Sequence, residues 1–155
     1  MIDRAIGPRF VARSTARLRA YQSGAPDANG QAPERHASLG AGSACRHCLN
    51  EVAAGQPYLV LAHRRIPAPQ PCAEFGPVFL PAEPCERRHD SGEVSAMFWR
   101  LPQLLMRGHG HDDRIVRGSS GQVVDTERLA RPGIVHLYLR SAADSCHQCR
   151  IERRA

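Results

Sequence analysis

Apolar and polar residues alternate along several short segments in the last two thirds of the chain. The alternation is clearest at residues 134–140, where Val135, Leu137 and Leu139 are separated by polar residues. A period of two places these three aliphatic side chains on one face of a β-strand. Shorter patterns of the same kind predict further strands at residues 56–63, 76–80, 104–108, 114–117 and 146–153.

Helices are predicted at three places, and all of them are short. Residues 9–22 carry a thin apolar stripe at helical spacing, and residues 94–99 form a second helical segment. Asp125 is placed to cap a third helix, which runs to Ala130. Because the strands follow one another without long helical crossovers, we expect an α+β fold, with a mixed, mostly antiparallel sheet and a few short helices.

The N-terminal part of the chain differs in composition from the rest. Residues 23–44 are rich in glycine, proline and polar residues, and they contain little apolar content beyond alanine. Such a segment buries little apolar area and is typical of a linker. We therefore predict a weakly ordered N-terminal helix and flexible linker at residues 1–43, dispensable for folding, and a single α+β domain at residues 44–155.

The charged residues exclude some classes of function. The net charge is +6, and all 21 basic residues are arginines, so no lysine is present for a Schiff base or a phosphate-loop site. The arginines are spread along the whole chain rather than clustered beside aromatic residues, which argues against a nucleic-acid partner. The aromatic content of 5% is low, so the core must depend on aliphatic side chains.

Two features bear on location. No apolar run approaches the roughly 18 residues that a membrane-spanning helix needs, so no membrane partner is expected. Residues 1–6 lack the apolar stretch of a secretory signal. We therefore expect a cytoplasmic protein whose six cysteines are reduced.

The cysteines carry the most specific chemical pattern. Cys45 and Cys48 form one Cys-x-x-Cys pair, and Cys146 and Cys149 form another. This spacing lets two thiolates of one turn reach a single zinc ion, and zinc is the one cofactor that the sequence suggests. However, 97 residues separate the pairs, far more than in a common zinc ribbon. A redox-active dithiol and unligated buried thiols stay open as alternatives.

Two polar groups of residues are further candidates. His109 and His111 share a strand face by spacing, and with Asp112 or Asp113 they could bind a metal, although an exposed polar hairpin tip is the favoured interpretation. The polar face of the strand at residues 134–140 contains Tyr138 and Arg140, which could bind an anion, although a solvated sheet face is the simpler interpretation.

For Arg140, on the polar face of this strand, the sequence suggests a specific ion-pair partner. A buried guanidinium must be paired, and Glu74 is its predicted partner because prolines and glycine flank that segment. Glu74, Tyr138 and Arg140 are therefore the predicted ligand-binding residues, although a solvated loop carboxylate is the simpler interpretation of Glu74.

Several segments together resemble the bacterial family called domain of unknown function 1203. The resemblance covers about residues 44–153, and it is carried by residues 45–49 (Cys-Arg-His-Cys-Leu), 55–61, 71–80, 82–87, 135–142 and Cys146. The family has no assigned activity, so it implies no catalytic residues. Some relatives lack the second cysteine of the first pair, which implies a family-wide site centred on Cys45, Glu74, Cys85, Arg140 and Cys146.

These observations lead to three functional hypotheses. The first is a small noncatalytic domain that binds a small anionic ligand or a protein partner. The second is a zinc-binding module, with Cys45, Cys48, Cys85 and Cys146 as the predicted metal ligands. The third is an enzyme of unrecognised type, for which the sequence offers no standard catalytic motif.

Overall fold

The computed structural model describes residues 8–40, 45–66, 68–93, 95–99, 103–121, 126–142 and 147–153. These residues form eight strands, two α-helices and one 3₁₀ helix. In chain order they are β1 (Pro8–Val11), α1 (Thr15–Gln22), β2 (Glu34–Ala37), β3 (Pro57–Arg64), β4 (Phe75–Pro81), α2 (Ala96–Trp99), β5 (Leu104–His109), β6 (Ile115–Gly121), the 3₁₀ helix (Thr126–Ala130), β7 (His136–Ser141) and β8 (His147–Arg153).

The strands form two antiparallel sheets. The larger sheet has the order β1-β8-β7-β5-β6, and the smaller sheet has the order β2-β3-β4. Every pairing between these strands is antiparallel, which confirms the mostly antiparallel sheet with few helices. No helix in the described parts of the chain has the length and apolar character needed to cross a membrane.

One face of the larger sheet forms the main hydrophobic core. Alternation places Leu137 and Leu139 of β7 on this face, where they pack with Met106 of β5 and Ile151 of β8. The Ile134 side chain packs directly against Gly108 of β5. A Cβ atom added at Gly108 would lie only 2.5 Å from that side chain, so glycine is needed at this position. The core is aliphatic, as the low aromatic content requires, with Phe10 and Phe98 as its aromatic members.

A second core lies on the smaller sheet. Leu59 and Leu61 of β3 face Leu80 and Val78 of β4, and the only fully buried residue of α1, Leu18, packs on them. The helix begins where the Ser14 side chain accepts a hydrogen bond from the Arg17 backbone, which satisfies one free N–H group at the helix start.

The predicted helix at residues 9–22 begins too early. The chain forms β1 at Pro8–Val11 before the helix starts at Thr15, and β1 pairs with β8. Phe10 and Val11 have the side chains that strands favour, but their partner lies about 140 residues away, so no local pattern reveals the pairing. Asp125, the predicted cap of the 3₁₀ helix, lies outside the described residues.

The predicted linker at residues 23–44 contains a strand. All four residues of β2 are exposed on an edge strand, so its sequence shows no apolar alternation. The division at residue 43 stays a prediction. Phe10 and Leu18 are 1% and 2% exposed in the two cores, so we expect a chain that starts at residue 44 to lose stability rather than to fold normally.

Candidate metal centre and a buried arginine face

A tight turn carries the first two cysteines. The Leu49 backbone N–H donates to the Cys45 carbonyl at 3.0 Å, and Leu49 adopts a left-handed φ of 57°. The backbone N–H groups of His47 and Cys48 both donate to the Cys45 sulfur at 3.2 Å. A left-handed φ is uncommon for leucine, so the surrounding contacts must hold this turn in place. The turn brings the sulfurs of Cys45 and Cys48 to the same side.

The third cysteine comes from the segment that follows β4. The sulfurs of Cys45 and Cys85 are 3.8 Å apart, and those of Cys45, Cys48 and Cys85 all lie within 4.8 Å of one another. A backbone hydrogen bond joins the two segments, in which the Arg88 N–H donates to the His47 carbonyl at 3.0 Å. We call these three residues the cysteine cluster; among the described residues, no other group of cysteine, histidine or carboxylate side chains is arranged to hold a metal ion.

His47 supports the cysteine cluster from inside the protein. Its Nδ1 atom is 2.9 Å from the Cys85 sulfur, and its Nε2 atom is 2.9 Å from the hydroxyl of Thr15. Burial lowers the pKa of His47, and the nearby guanidinium groups of Arg87 and Arg19 lower it further. The ring is therefore neutral at neutral pH. With its proton on Nδ1 it donates to Cys85 and accepts from Thr15, the first residue of α1.

The three thiols cannot all ionise without a cation. A hydrogen bond from Cys45 lowers the pKa of Cys48 to about 6, while burial and the charge of Cys48 raise the pKa of Cys85 to about 11. The same hydrogen bond and burial raise the pKa of Cys45 far above its usual range. Without a metal, ionisation is therefore favoured at Cys48 and disfavoured at Cys45 and Cys85, and a bound metal ion would allow the other two thiols to ionise.

The other cysteines lie apart from the cysteine cluster. The thiol of Cys149 is buried in the main core and donates to the Val11 carbonyl, and the sulfur of Cys72 accepts from the Ile115 backbone. Cys146, the predicted fourth metal ligand, lies outside the described residues. The structure thus brings together three of the four predicted ligands, and it separates Cys149 from them.

Glu74 and Arg140 form the predicted ion pair. Their side chains are 2.5 Å apart, and Glu74 also accepts a hydrogen bond from Arg107 at 2.8 Å. Burial alone would raise the pKa of Glu74, but these two arginines outweigh it and hold the pKa below its usual range. Arg140 is 5% exposed, as the prediction of a covered strand face requires. The charge of Arg140 is thus paired within the protein, and the ligand-binding role of Arg140 stays a prediction.

A third arginine lies beside this pair. Arg65 follows β3, and its guanidinium carbon is 4.5 Å from the centre of the Tyr138 ring. Its Nη2 atom is 3.9 Å from Glu74, beyond hydrogen-bond distance. We call Arg65, Arg107 and Arg140 around Glu74 the arginine face. The sequence prediction missed Arg65 and Arg107, although Arg107 lies directly across from Tyr138 in the sheet.

The histidines of the hairpin, which could have bound a metal, do not form a metal site among the described residues. His109 is the last residue of β5 and is fully buried, whereas His111 lies in the turn and is exposed. His109 Nδ1 donates to the Asp113 carbonyl at 2.6 Å, and the Asp113 carboxylate is 3.3 Å from His136. The strand ends before His111, so the alternation that would place both histidines on one face stops there.

The comparisons with known proteins give a family and nothing more specific. No curated protein and no solved structure matches the chain. The model of one protein family matches residues 42–153, which include the cysteine cluster and the arginine face, and that family is described as "Protein of unknown function (DUF1203)". The match covers well over half of the sequence, so the chain belongs to this family of unknown function.

Proposed function

We propose that this chain is a noncatalytic zinc-binding domain in which Cys45, Cys48 and Cys85 hold the ion. The observation that carries the proposal is the spacing of the sulfurs. In a tetrahedral site with zinc–sulfur distances of about 2.3 Å, two sulfur ligands lie about 3.8 Å apart. The sulfurs of Cys45 and Cys85 are separated by 3.8 Å, so they match this spacing without rearrangement.

The hydrogen bonds around the sulfurs also support zinc. Two backbone N–H groups donate to the Cys45 sulfur, and His47 is placed to donate to Cys85. Donors of this kind stabilise thiolates and orient metal ligands. A redox dithiol needs only two thiols, whereas this site gathers three. Cys146 is our proposed fourth ligand, which would complete a closed, structural site.

The proposed role of the ion is to hold three separate segments together. The turn of Cys45 and Cys48 lies before β3, Cys85 lies after β4, and His47 connects both to the start of α1 through Thr15. The two segments that carry the cysteines lie outside the helices and strands of the described chain. A metal that binds only the folded state would therefore add directly to its stability. The predicted cytoplasmic location, in which thiols stay reduced, is consistent with such a site.

The test is the zinc content of untagged purified protein. We expect about one zinc per chain in the wild type. Cys85→Ser should lose it, whereas Cys72→Ser should keep it, because Cys72 lies apart from the cysteine cluster. Zinc-free wild-type protein that also fails to bind added zinc would contradict the proposal. Wild-type protein that instead forms a Cys45–Cys48 disulfide under mild oxidation and binds no zinc would favour the redox alternative.

A further inference from the structure

A pocket of 200 Å³ opens on the polar side of the larger sheet. Its lining includes Arg13 and Ser14 from the segment between β1 and α1, Arg65 from the end of β3, Tyr138 from β7 and Arg150 from β8. We call it the anion pocket. Its lining contains three guanidinium groups, and none of its described residues carries a carboxylate.

Arg65 is the residue that makes this pocket unusual. Its side chain is 5% exposed, and its Nε and Nη2 atoms have no hydrogen-bond partner among the described residues. The nearest carboxylate, Glu74, already accepts from Arg107 and Arg140, one through each oxygen. A buried guanidinium cannot lose its charge at ordinary pH, so it requires an anion that forms hydrogen bonds with it. Within the described residues, no such anion is available to Arg65.

Arg13 adds a second cation to the lining of the anion pocket. None of the described carboxylates lies within 4.0 Å of its guanidinium, and burial together with nearby Arg17 lowers the pKa of Arg13 to about 10. Arg150, in contrast, is paired with Glu152 at 2.7 Å. Among the described residues, Arg13 has no carboxylate partner and Arg65 has only Glu74, at 3.9 Å, so these two guanidinium groups leave the anion pocket positively charged. Tyr138 holds the Arg65 guanidinium in place by lying against its face.

We propose that the anion pocket binds the phosphate group of a small phosphorylated ligand, with Arg65 and Arg13 as its donors. Two cations complement a phosphate dianion better than a single carboxylate, and planar guanidinium groups suit its oxygens. A volume of 200 Å³ is below that of a site for a drug-sized ligand, so it fits free phosphate or a small phosphate monoester. Arg140, the arginine predicted from the sequence, is already paired, and Arg65 takes the proposed role.

Calorimetric titration with inorganic phosphate and with methyl phosphate, at constant ionic strength, tests the proposal. Arg65→Gln should weaken phosphate binding by at least about tenfold, because a charged hydrogen-bonding pair is lost. Arg117→Gln removes the same charge from an exposed position on β6 and should leave binding unchanged. The relative affinity of the two probes distinguishes free phosphate from an ester as the ligand.

A second variant keeps the test decisive if Arg65→Gln does not fold. Arg13 is only half-buried, so Arg13→Gln should fold and should also weaken phosphate binding. Added phosphate should raise the melting temperature of the wild type, and it should raise that of Arg13→Gln less. Equal binding by the wild type, Arg13→Gln and Arg117→Gln would overturn the proposal. The absence of saturable binding to the wild type would overturn it as well.

Discussion

The cysteine cluster and the arginine face differ in how the chain assembles them. The cysteine cluster depends on one tight turn and one loop, and its three thiols cannot all ionise unless a cation joins them. The arginine face is built on paired strands, and its cations surround one carboxylate, Glu74. One site therefore lacks positive charge and the other lacks negative charge. This contrast suggests that each is completed by an ion of opposite sign.

Removal of zinc should produce the largest change. If free zinc is about 1,000 times its dissociation constant, the bound ion adds about 4 kcal/mol to the free energy of unfolding. For a chain of this size, a loss of that magnitude lowers the melting temperature by about 8–16 °C. Thermal melts with and without a strong chelator measure the effect. Cys45→Ser should melt like the chelated wild type, and chelator should have no further effect on it. A chelator effect of equal size in both proteins would exclude the cysteine cluster as its source.

Glu74→Gln should be the most costly change in the arginine face. It removes the carboxylate shared by Arg107 and Arg140, and it leaves buried cations together without an anion. Because the Glu74 side chain is 40% exposed, we expect the lower end of the range for a broken buried pair, about 3 kcal/mol.

Arg140→Gln is the matched variant for this ion pair. It should cost less than Glu74→Gln, since Glu74 keeps Arg107 as a partner. Denaturant melts of both variants and of the double mutant give the coupling energy. If the single effects add without coupling, the two residues do not act as a pair.

His47→Gln tests whether the hydrogen-bonding network behind Cys85 matters for zinc. Loss of a partner that orients a metal ligand typically weakens binding by about 10–100-fold. We expect a reduction of that order in a competition titration with a zinc indicator. His36→Gln changes an exposed histidine on β2 and should have no effect. Unchanged zinc affinity in His47→Gln would show that the contact with Cys85 is only a packing contact.

The predicted effect that is smallest at neutral pH is the acid dependence contributed by His136, because it appears only as the pH falls below about 6.5. Burial lowers the pKa of His136 to about 4, below the usual value of a histidine in an unfolded chain, about 6.5. The unfolded chain therefore takes up a proton first as the pH falls. Stability from this group is complete above about pH 6.5 and decreases toward pH 4, by about 1.4 kcal/mol per pH unit.

Denaturant melts of zinc-free protein between pH 7 and pH 5 measure this slope. His136→Gln should lose stability more gradually than the wild type, whereas His111→Gln should match the wild type because His111 is exposed. Equal slopes for the wild type and His136→Gln would show that His136 does not titrate as its burial implies.

The parts of the fold that sequence patterns predict are those with local signals. The strands from β3 to β8 show alternation or turn residues, and most of them were found to within a few residues. β1 and β2 were missed because one pairs with a distant strand and the other is an exposed edge. The positions of helix and strand ends at the N-terminus are therefore set by tertiary contacts rather than by local preference.

The candidate sites follow the same division. The turn of Cys45 and Cys48 is a local feature, whereas the approach of Cys85 depends on the packing of two loops and was suggested only by the family resemblance. Arg65 could have been found from alternation, because Leu59, Leu61 and His63 point inward and Arg65 is the next residue in that series. The lack of a hydrogen-bonded partner for Arg65 could not have been predicted, because it depends on how the two oxygens of Glu74 are divided between Arg107 and Arg140.

X-ray absorption at the zinc edge of the purified protein tests the central claim most directly. The cysteine cluster predicts at least three sulfur neighbours at about 2.3 Å from the ion, and four if Cys146 completes the site. Cys146→Ser should then reduce the number of sulfur neighbours by one, while Cys72→Ser should leave the spectrum unchanged. A zinc ion surrounded mainly by nitrogen and oxygen atoms would contradict the assignment of Cys45, Cys48 and Cys85 as its ligands.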